Sequence, residues 1–189
     1  MLEKIDTKLT AFEIYTIFKD EDYSFILDSS LNNSLGRYSL ISARPFEILK
    51  YDAQQQPLER LRDKLDKYQV ENTTDLPFIG GAVGYLAYDL CHAIEDLPQT
   101  AQSELAIPDL YLGLYNWVIV VDHRQEEVYF ASPDLNRTQE EQIKGEVIAK
   151  IKRAERNNVS TPEDLQIKCS QLESNFSQGD YLAAIRQIQ

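Results

Sequence analysis

Cysteine is almost missing from this chain. Cys91 and Cys169 are the two that occur in 189 residues, too few and too far apart for a disulfide framework or a metal knuckle. Histidine is equally scarce, and neither His92 nor His123 stands in a two-ligand helical spacing with another His or Cys. No stretch approaches the ~18 apolar residues that a membrane helix needs, and the first residues, MLEKIDTKL, contain no apolar signal core. The expectation is a cytoplasmic protein with no membrane contact. Basic residues are also short, 19 against 31 acidic ones for a net charge of −12, which repels polyphosphate and argues against a nucleic-acid partner. A small anionic substrate remains compatible with that balance if basic groups line its pocket.

What is present suits a folded domain. A hydrophobic share of 43% with 26% charged residues is ordinary for a globular chain with one core, or for a large piece of a bigger domain. There is no internal repeat and no low-complexity tract. The most distinctive stretch runs from Pro77 to Glu95, PFIGGAVGYLAYDLCHAIE, with Gly80, Gly81 and Gly84 inside an apolar, strand-like run. Glycine weakens a strand, so it marks a bulge, a bend, or a place where a ligand or another backbone comes close. Crowding by neighbouring strands explains the glycines equally well. The run is not a phosphate loop, because no Lys-Ser/Thr follows it. Asp89, Glu95 and Asp96 are an acid/base set or a solvated rim, and nothing in the sequence fixes their mutual distance.

In chain order, Thr10 with Glu13 forms a capping-box pattern ahead of a helical stripe of Ala11, Ile14, Tyr15 and Phe18. Strands are predicted over Tyr23–Leu27, Arg37–Ala43 and Phe46–Tyr51, making an antiparallel sheet. Pro57 starts a second helix with Leu58, Leu61, Leu65 and Tyr68 on its apolar face. After the glycine-rich strand, Asp96–Pro108 reads as a surface loop. Tyr111–Val121 reads as one strand, pairing with Val128–Ala131 across the turn His123-Arg124-Gln125-Glu126. A helix capped by Thr138 and Glu141 runs to about Arg156, Asn157–Asp164 breaks it, and Leu165–Leu172 reads as a short strand. A last helix starts near Ser177 and Asp180 and continues to Gln189 without a stop signal, which points to a fragment or to a frayed end.

Two sets of side chains are candidate sites. His92 beside Cys91 is a conceivable nucleophilic pair, but neighbours on a strand point to opposite faces. His123 reads as a solvated turn residue. The stronger set is Ser29 with Gly36, Arg37 and Tyr38, which pairing of two strands would gather at one end of a sheet. Arg37 supplies a fixed cation suited to a carboxylate, so the set can hold an amino acid. A turn with a surface arginine is the alternative.

The strings ILDSS (Ile26–Ser30), GRYSLISARP (Gly36–Pro45), GGAVGYLAYDL (Gly80–Leu90), PDLYLGLYNWVIVVDH (Pro108–His123) and SNFSQGDYLAAIRQIQ (Ser174–Gln189) resemble the N-terminal region of the chorismate-amination enzymes. These are component I of aminodeoxychorismate synthase and of anthranilate synthase, and the wording of the third and fourth strings is closer to the para-aminobenzoate branch. The resemblance implies an α+β fold of antiparallel, orthogonally packed β-sheets with flanking helices. It implies residues 1–173 as the component I N-terminal domain and 174–189 as the start of a truncated chorismate-binding domain. It places the catalytic residues and Mg²⁺ outside this chain, leaving it without a cofactor of its own. The implied partners are the C-terminal chorismate-binding half, a glutamine amidotransferase subunit and L-tryptophan. For tryptophan it points to Ser29, Leu35, Gly36, Arg37 and Tyr38, with further contacts from a proline-containing segment elsewhere in the enzyme. Asp28 departs from the motif, which commonly has Glu there. A fragment of anthranilate synthase and a stand-alone amino-acid-binding module are the competing functional readings.

Overall fold

The computed structural model describes residues 1–29, 36–98, 107–157, 174 and 176–188. The chain divides into two compact units, Met1–Val159 and Ser160–Gln189. In the first, the order is β1 (Leu2–Ile5), α1 (Ala11–Phe18), β2 (Phe25–Leu27), β3 (Tyr38–Ser42), β4 (Glu47–Tyr51), α2 (Pro57–Lys67), β5 (Gly81–Leu86), β6 (Leu110–Tyr115), β7 (Val118–Asp122), β8 (Glu127–Ala131) and α3 (Arg137–Arg156). The second contains α4 (Gln178–Ile188). Its start is capped by Ser177, whose Oγ accepts from the Asp180 amide at 3.2 Å, in keeping with the sequence reading.

The strands form two antiparallel sheets, one in the order β1-β8-β7-β3-β2 and the other β4-β6-β5. Sequence reading makes Tyr111–Val121 one strand. It is two, and they belong to different sheets: β6 is the middle of the smaller sheet and β7 the middle of the larger, with the chain switching between them at Asn116-Trp117. Both halves are buried on two faces, so the continuous apolar run looks uniform. Alternate residues of β7 serve separate cores. Ile119 and Val121 pack with Ala11, Ile14 and Phe18 of α1 and Val147 and Ile151 of α3. Val118 and Val120 face Leu76 and Ile79. A third core joins Leu49, Leu110, Leu112 and Leu114 to Leu58 and Leu61 of α2, whereas Leu65, expected on that face, is exposed.

The Thr10–Glu13 capping box is present, with the Glu13 amide donating to Thr10 Oγ1 at 3.2 Å and the Thr10 amide to Glu13 Oε2 at 2.7 Å. For α3 the expected Thr138–Glu141 box is replaced by Asn136, whose Oδ1 accepts from the Gln139 amide at 3.2 Å. Buried Glu140 takes the amides of Asp134, Leu135 and Asn136 at 3.0, 2.9 and 3.2 Å. A carboxylate satisfied by three backbone donors outcompetes the local box. Strand β1 has no counterpart in the sequence reading, since its four residues pair only with β8, about the whole domain away. Cys91 and His92 lie on a 3-10 turn, Tyr88–Ala93, rather than on a strand. The expected strand at Leu165–Leu172, and most of the segments expected at Asp96–Pro108 and Asn157–Asp164, lie outside the described residues.

Of the two glycines in β5, Gly84 answers to the neighbouring strand, whereas an added Cβ on Gly81 would meet the Phe78 ring at 3.2 Å. A Cβ on Gly84 would meet the Tyr111 carbonyl oxygen of β6 at 2.0 Å, with φ at +157°, so the crowding-strand explanation holds there. Gly84→Ala is expected to destabilise the fold by about 2 kcal/mol or more. Gly145, in α3 with nothing within 4 Å of an added Cβ, gives the opposite sign: Gly145→Ala should stabilise by about 0.5–1 kcal/mol. Urea midpoints at unchanged slope measure both.

Candidate functional site

The candidate site grows from the end of the β2–β3 pair. Leu27 lies opposite Leu40, which carries Asp28 and Ser29 alongside Ser39 and Tyr38. Ser29 closes the pair with both its polar groups: its Oγ donates to the Tyr38 carbonyl at 2.7 Å and its amide donates to Ser39 Oγ at 3.0 Å. Ser39 is fully buried. Its oxygen also contacts Asp28 Oδ1 at 2.7 Å and His123 Nε2 at 2.7 Å. His123 reaches it from the β7–β8 turn, where its amide donates to the Arg37 carbonyl at 2.9 Å.

The structure thus brings Ser29, Arg37 and Tyr38 to one sheet end, as the sequence predicts, with Gly36 next to Arg37 in the chain. Leu35 lies outside the described residues. Arg37, however, points its charge at the protein. Its Nη2 sits 2.7 Å from Asp122 Oδ2 and its Nε 3.1 Å from Oδ1, while the guanidinium carbon lies 4.7 Å from the Tyr38 ring centroid. Asp122 is buried at 1% exposure and also accepts the amides of Arg124 and Gln125 at 3.0 and 3.2 Å. The Arg37 hydrogen bond above all, helped by those amides, holds the Asp122 carboxyl below its ordinary range against the opposing effect of burial. A buried carboxylate needs such a partner, so the cation is spent internally.

Sequence reading notes Asp28 only as a departure from the family motif and does not place Ser39 or His123 in the site. His123, expected as a solvated turn residue, is half-buried and bonded to Ser39. Its sequence position in a tight turn hid this, because Ser39 is 84 residues away. The expected acid/base trio does not form a cluster of buried groups: Asp89, Glu95 and Asp96 are all exposed, as a solvated rim would be.

Two cavities meet at Asp28 and Ser29. One, of about 520 Å³, is bordered by Ile26, Leu27, Tyr38, Leu40 and Pro77. The other, of about 700 Å³, is bordered on the helix face by Thr10, Phe12, Val121, His123 and Val128. Both volumes fall in the range of small-molecule pockets. With the proton of Ser29 Oγ committed to Tyr38 and its amide to Ser39, the lone pairs of Ser29 and the outer oxygen of Asp28 are what this pair offers among the described residues. Such an array accepts hydrogen bonds and suits an ammonium group. Among the described residues no group of three or more His, Cys, Asp or Glu is placed to hold a metal ion, and no helix is long and apolar enough to cross a membrane.

Residues 15–189 match the family described as chorismate binding enzyme. Over 135 residues the chain is 33% identical to aminodeoxychorismate synthase component 1 of Escherichia coli (strain K12), a match covering 70% of this chain and 27% of that protein. It is 26% identical over 137 residues to anthranilate synthase component 1 of Acetivibrio thermocellus, covering 64% and 28% respectively. The matches thus span little more than a quarter of the length of these relatives. Among solved structures, anthranilate synthase component I from Streptococcus pneumoniae TIGR4 has the same fold, with a TM-score of 0.61 at 18% identity over 88% of this chain and 39% of that one.

Removing the guanidinium should expose how far the site end depends on it. Arg37→Ala is expected to lower the urea midpoint at pH 7. A depressed folded-state pKa contributes stability above the unfolded carboxylate's value, about 3.9, and loses it as pH falls through the folded value. The gap between wild type and variant should therefore close below about pH 4, which denaturation at stepped pH will show.

Proposed function

The chain belongs to the chorismate-binding enzymes, and from that membership we propose that it is the N-terminal domain of a component I enzyme of the aminodeoxychorismate synthase type. Residues 1–173 form that domain in this reading, and 174–189 begin the chorismate-binding domain. The complete enzyme would aminate chorismate with ammonia delivered by a glutamine amidotransferase subunit, in the cytoplasm, on the route to para-aminobenzoate and folate. This half packs on the catalytic half and carries part of a tryptophan-type site. The wording of GGAVGYLAYDL (Gly80–Leu90) and LYNWVIVVDH (Leu114–His123) supports the branch.

The observation that carries the site reading is the sheet end itself, where Ser29 and Asp28 present acceptors to a cavity walled by Tyr38, Leu40 and Pro77. The acceptors suit the ammonium of an amino acid and the apolar wall its side chain. Arg37 shapes that wall through Tyr38, and a ligand carboxylate is left to groups on the catalytic half. The described residues do not fit a magnesium site, so the reading assigns Mg²⁺ to the catalytic half and routes no step through it here.

Purified 1–189 given chorismate, ammonium and Mg²⁺ should form no aminated product above background; turnover would overturn the assignment. Calorimetry with L-tryptophan should show no micromolar binding by the chain alone. Micromolar binding, lost about tenfold on removing the Ser29 hydroxyl by Ser29→Ala, would support the competing reading of a self-sufficient amino-acid-binding module.

A further inference from the structure

Ser39 Oγ lies within hydrogen-bond distance of three groups: Asp28 Oδ1 at 2.7 Å, His123 Nε2 at 2.7 Å and the Ser29 amide at 3.0 Å. A serine hydroxyl has one proton to give and two lone pairs to receive. The Ser29 amide can only donate, which fills one lone pair. An ionised Asp28 can only accept, which takes the proton. Only a lone pair then remains for His123, and an unprotonated Nε2 opposite it would set two lone pairs against each other at 2.7 Å. Ser39 is fully buried, so water cannot relieve such a clash, and an unmet polar contact there costs more than at the surface.

We infer that His123 is a positioning residue of the Asp28–Ser29 site, held as the tautomer with the proton on Nε2, and that its donation to Ser39 sets the polarity of the whole array. The bond turns the Ser39 hydroxyl toward Asp28 and leaves its other lone pair for the Ser29 amide. Asp28 is thereby pinned through Oδ1, with no hydrogen bond to its other oxygen among the described residues, and Ser29 is pinned through its backbone. The site is an acceptor site for a donor cation because a histidine donates behind it. The inference rests on the reading of Ser29 as a recognition residue, and it adds to that reading the residue that orients it.

Nothing else among the described residues is placed to do this. Arg37 is bound to Asp122. Lys8, Asp122 and Glu126 border the same cavity as His123, but none of them hydrogen-bonds to Ser39. The backbone of the β7–β8 turn fixes where the imidazole starts, through the His123 amide and the Arg37 carbonyl at 2.9 Å, and the side chain then spans to β3.

The test needs no ligand, so it stands apart from the chorismate and tryptophan experiments. In the full 1–189 chain at pH 9, above the ordinary titration range of imidazole, ¹⁵N and ¹³C shifts of His123 should report the Nε2-protonated tautomer. Dominance of the other tautomer overturns the inference. Hydrogen exchange supplies the second readout. His123→Leu should speed exchange of the Ser29 amide about tenfold or more while leaving the Val120 amide of β7 unchanged, and His123→Gln, whose amide can still donate, should restore much of the protection. Equal loss at Ser29 and Val120 would show a merely structural histidine, and unchanged protection at Ser29 would show an idle one; either result overturns the inference.

Discussion

The middle strands of both sheets are consecutive in the chain, and this connection constrains everything else. β6 pairs on both edges with β4 and β5, and β7 pairs on both edges with β3 and β8. Between them, Trp117 is fully buried, stacked at 6.3 Å on Phe130 and tilted at 5.8 Å against Phe18. Its carbonyl accepts from the buried hydroxyl of Ser42 at 2.8 Å. Trp117 therefore ties the sheet switch to β8 and α1 through its indole and to β3 through its backbone carbonyl. Burying an aromatic side chain of this size is worth roughly 2–3 kcal/mol before packing is counted. Losing it would also unseat the centres of two sheets, since neither middle strand can shift its register without dragging the other.

The chain carries a charge of −12, and where it buries or half-buries a carboxylate the way it does so is consistent. Glu140 is buried against three backbone amides ahead of α3. Asp122 is buried against Arg37 and two amides in the β7–β8 turn. Glu155 takes the Lys8 amide at 3.0 Å and the Thr7 hydroxyl from the loop before α1. In each case the acid closes a loop by accepting donors that the loop's backbone would otherwise leave unmet. Acidity thus serves as connective material, and at Asp122 the Arg37 cation adds to the two amides.

Local signals were legible in the sequence because their causes are local. The Thr10–Glu13 box and Pro57 at the start of α2 act within one helical turn, and the β7–β8 hairpin announces itself by a polar turn between β-prone runs. The illegible features have distant causes. β1 is four residues long and is a strand only because β8 lies beside it. The break at Asn116-Trp117 has no glycine or proline to mark it, and the apolar pattern reads the same on either side. Asn136 displaced Thr138 as the cap because Glu140 had already gathered the preceding amides, a competition that no three-residue spacing can reveal.

The site shows the same division more sharply. Residue type and resemblance together pointed to Ser29, Arg37 and Tyr38, and the fold does gather them. The role of the arginine did not follow from its type, because a fixed cation beside a cavity is equally suited to a ligand carboxylate and to an internal one. Burial decides between them. Asp122 has almost no exposure and would carry its desolvation cost whether or not a ligand were present, whereas a ligand pays only while bound. The fold therefore claims Arg37 first, and what remains at the sheet end is a set of acceptors. From that point the chemistry of the pocket follows from proton counting at Ser39, 10 residues from Ser29 and 84 from His123, rather than from the charge of the one residue the sequence made conspicuous.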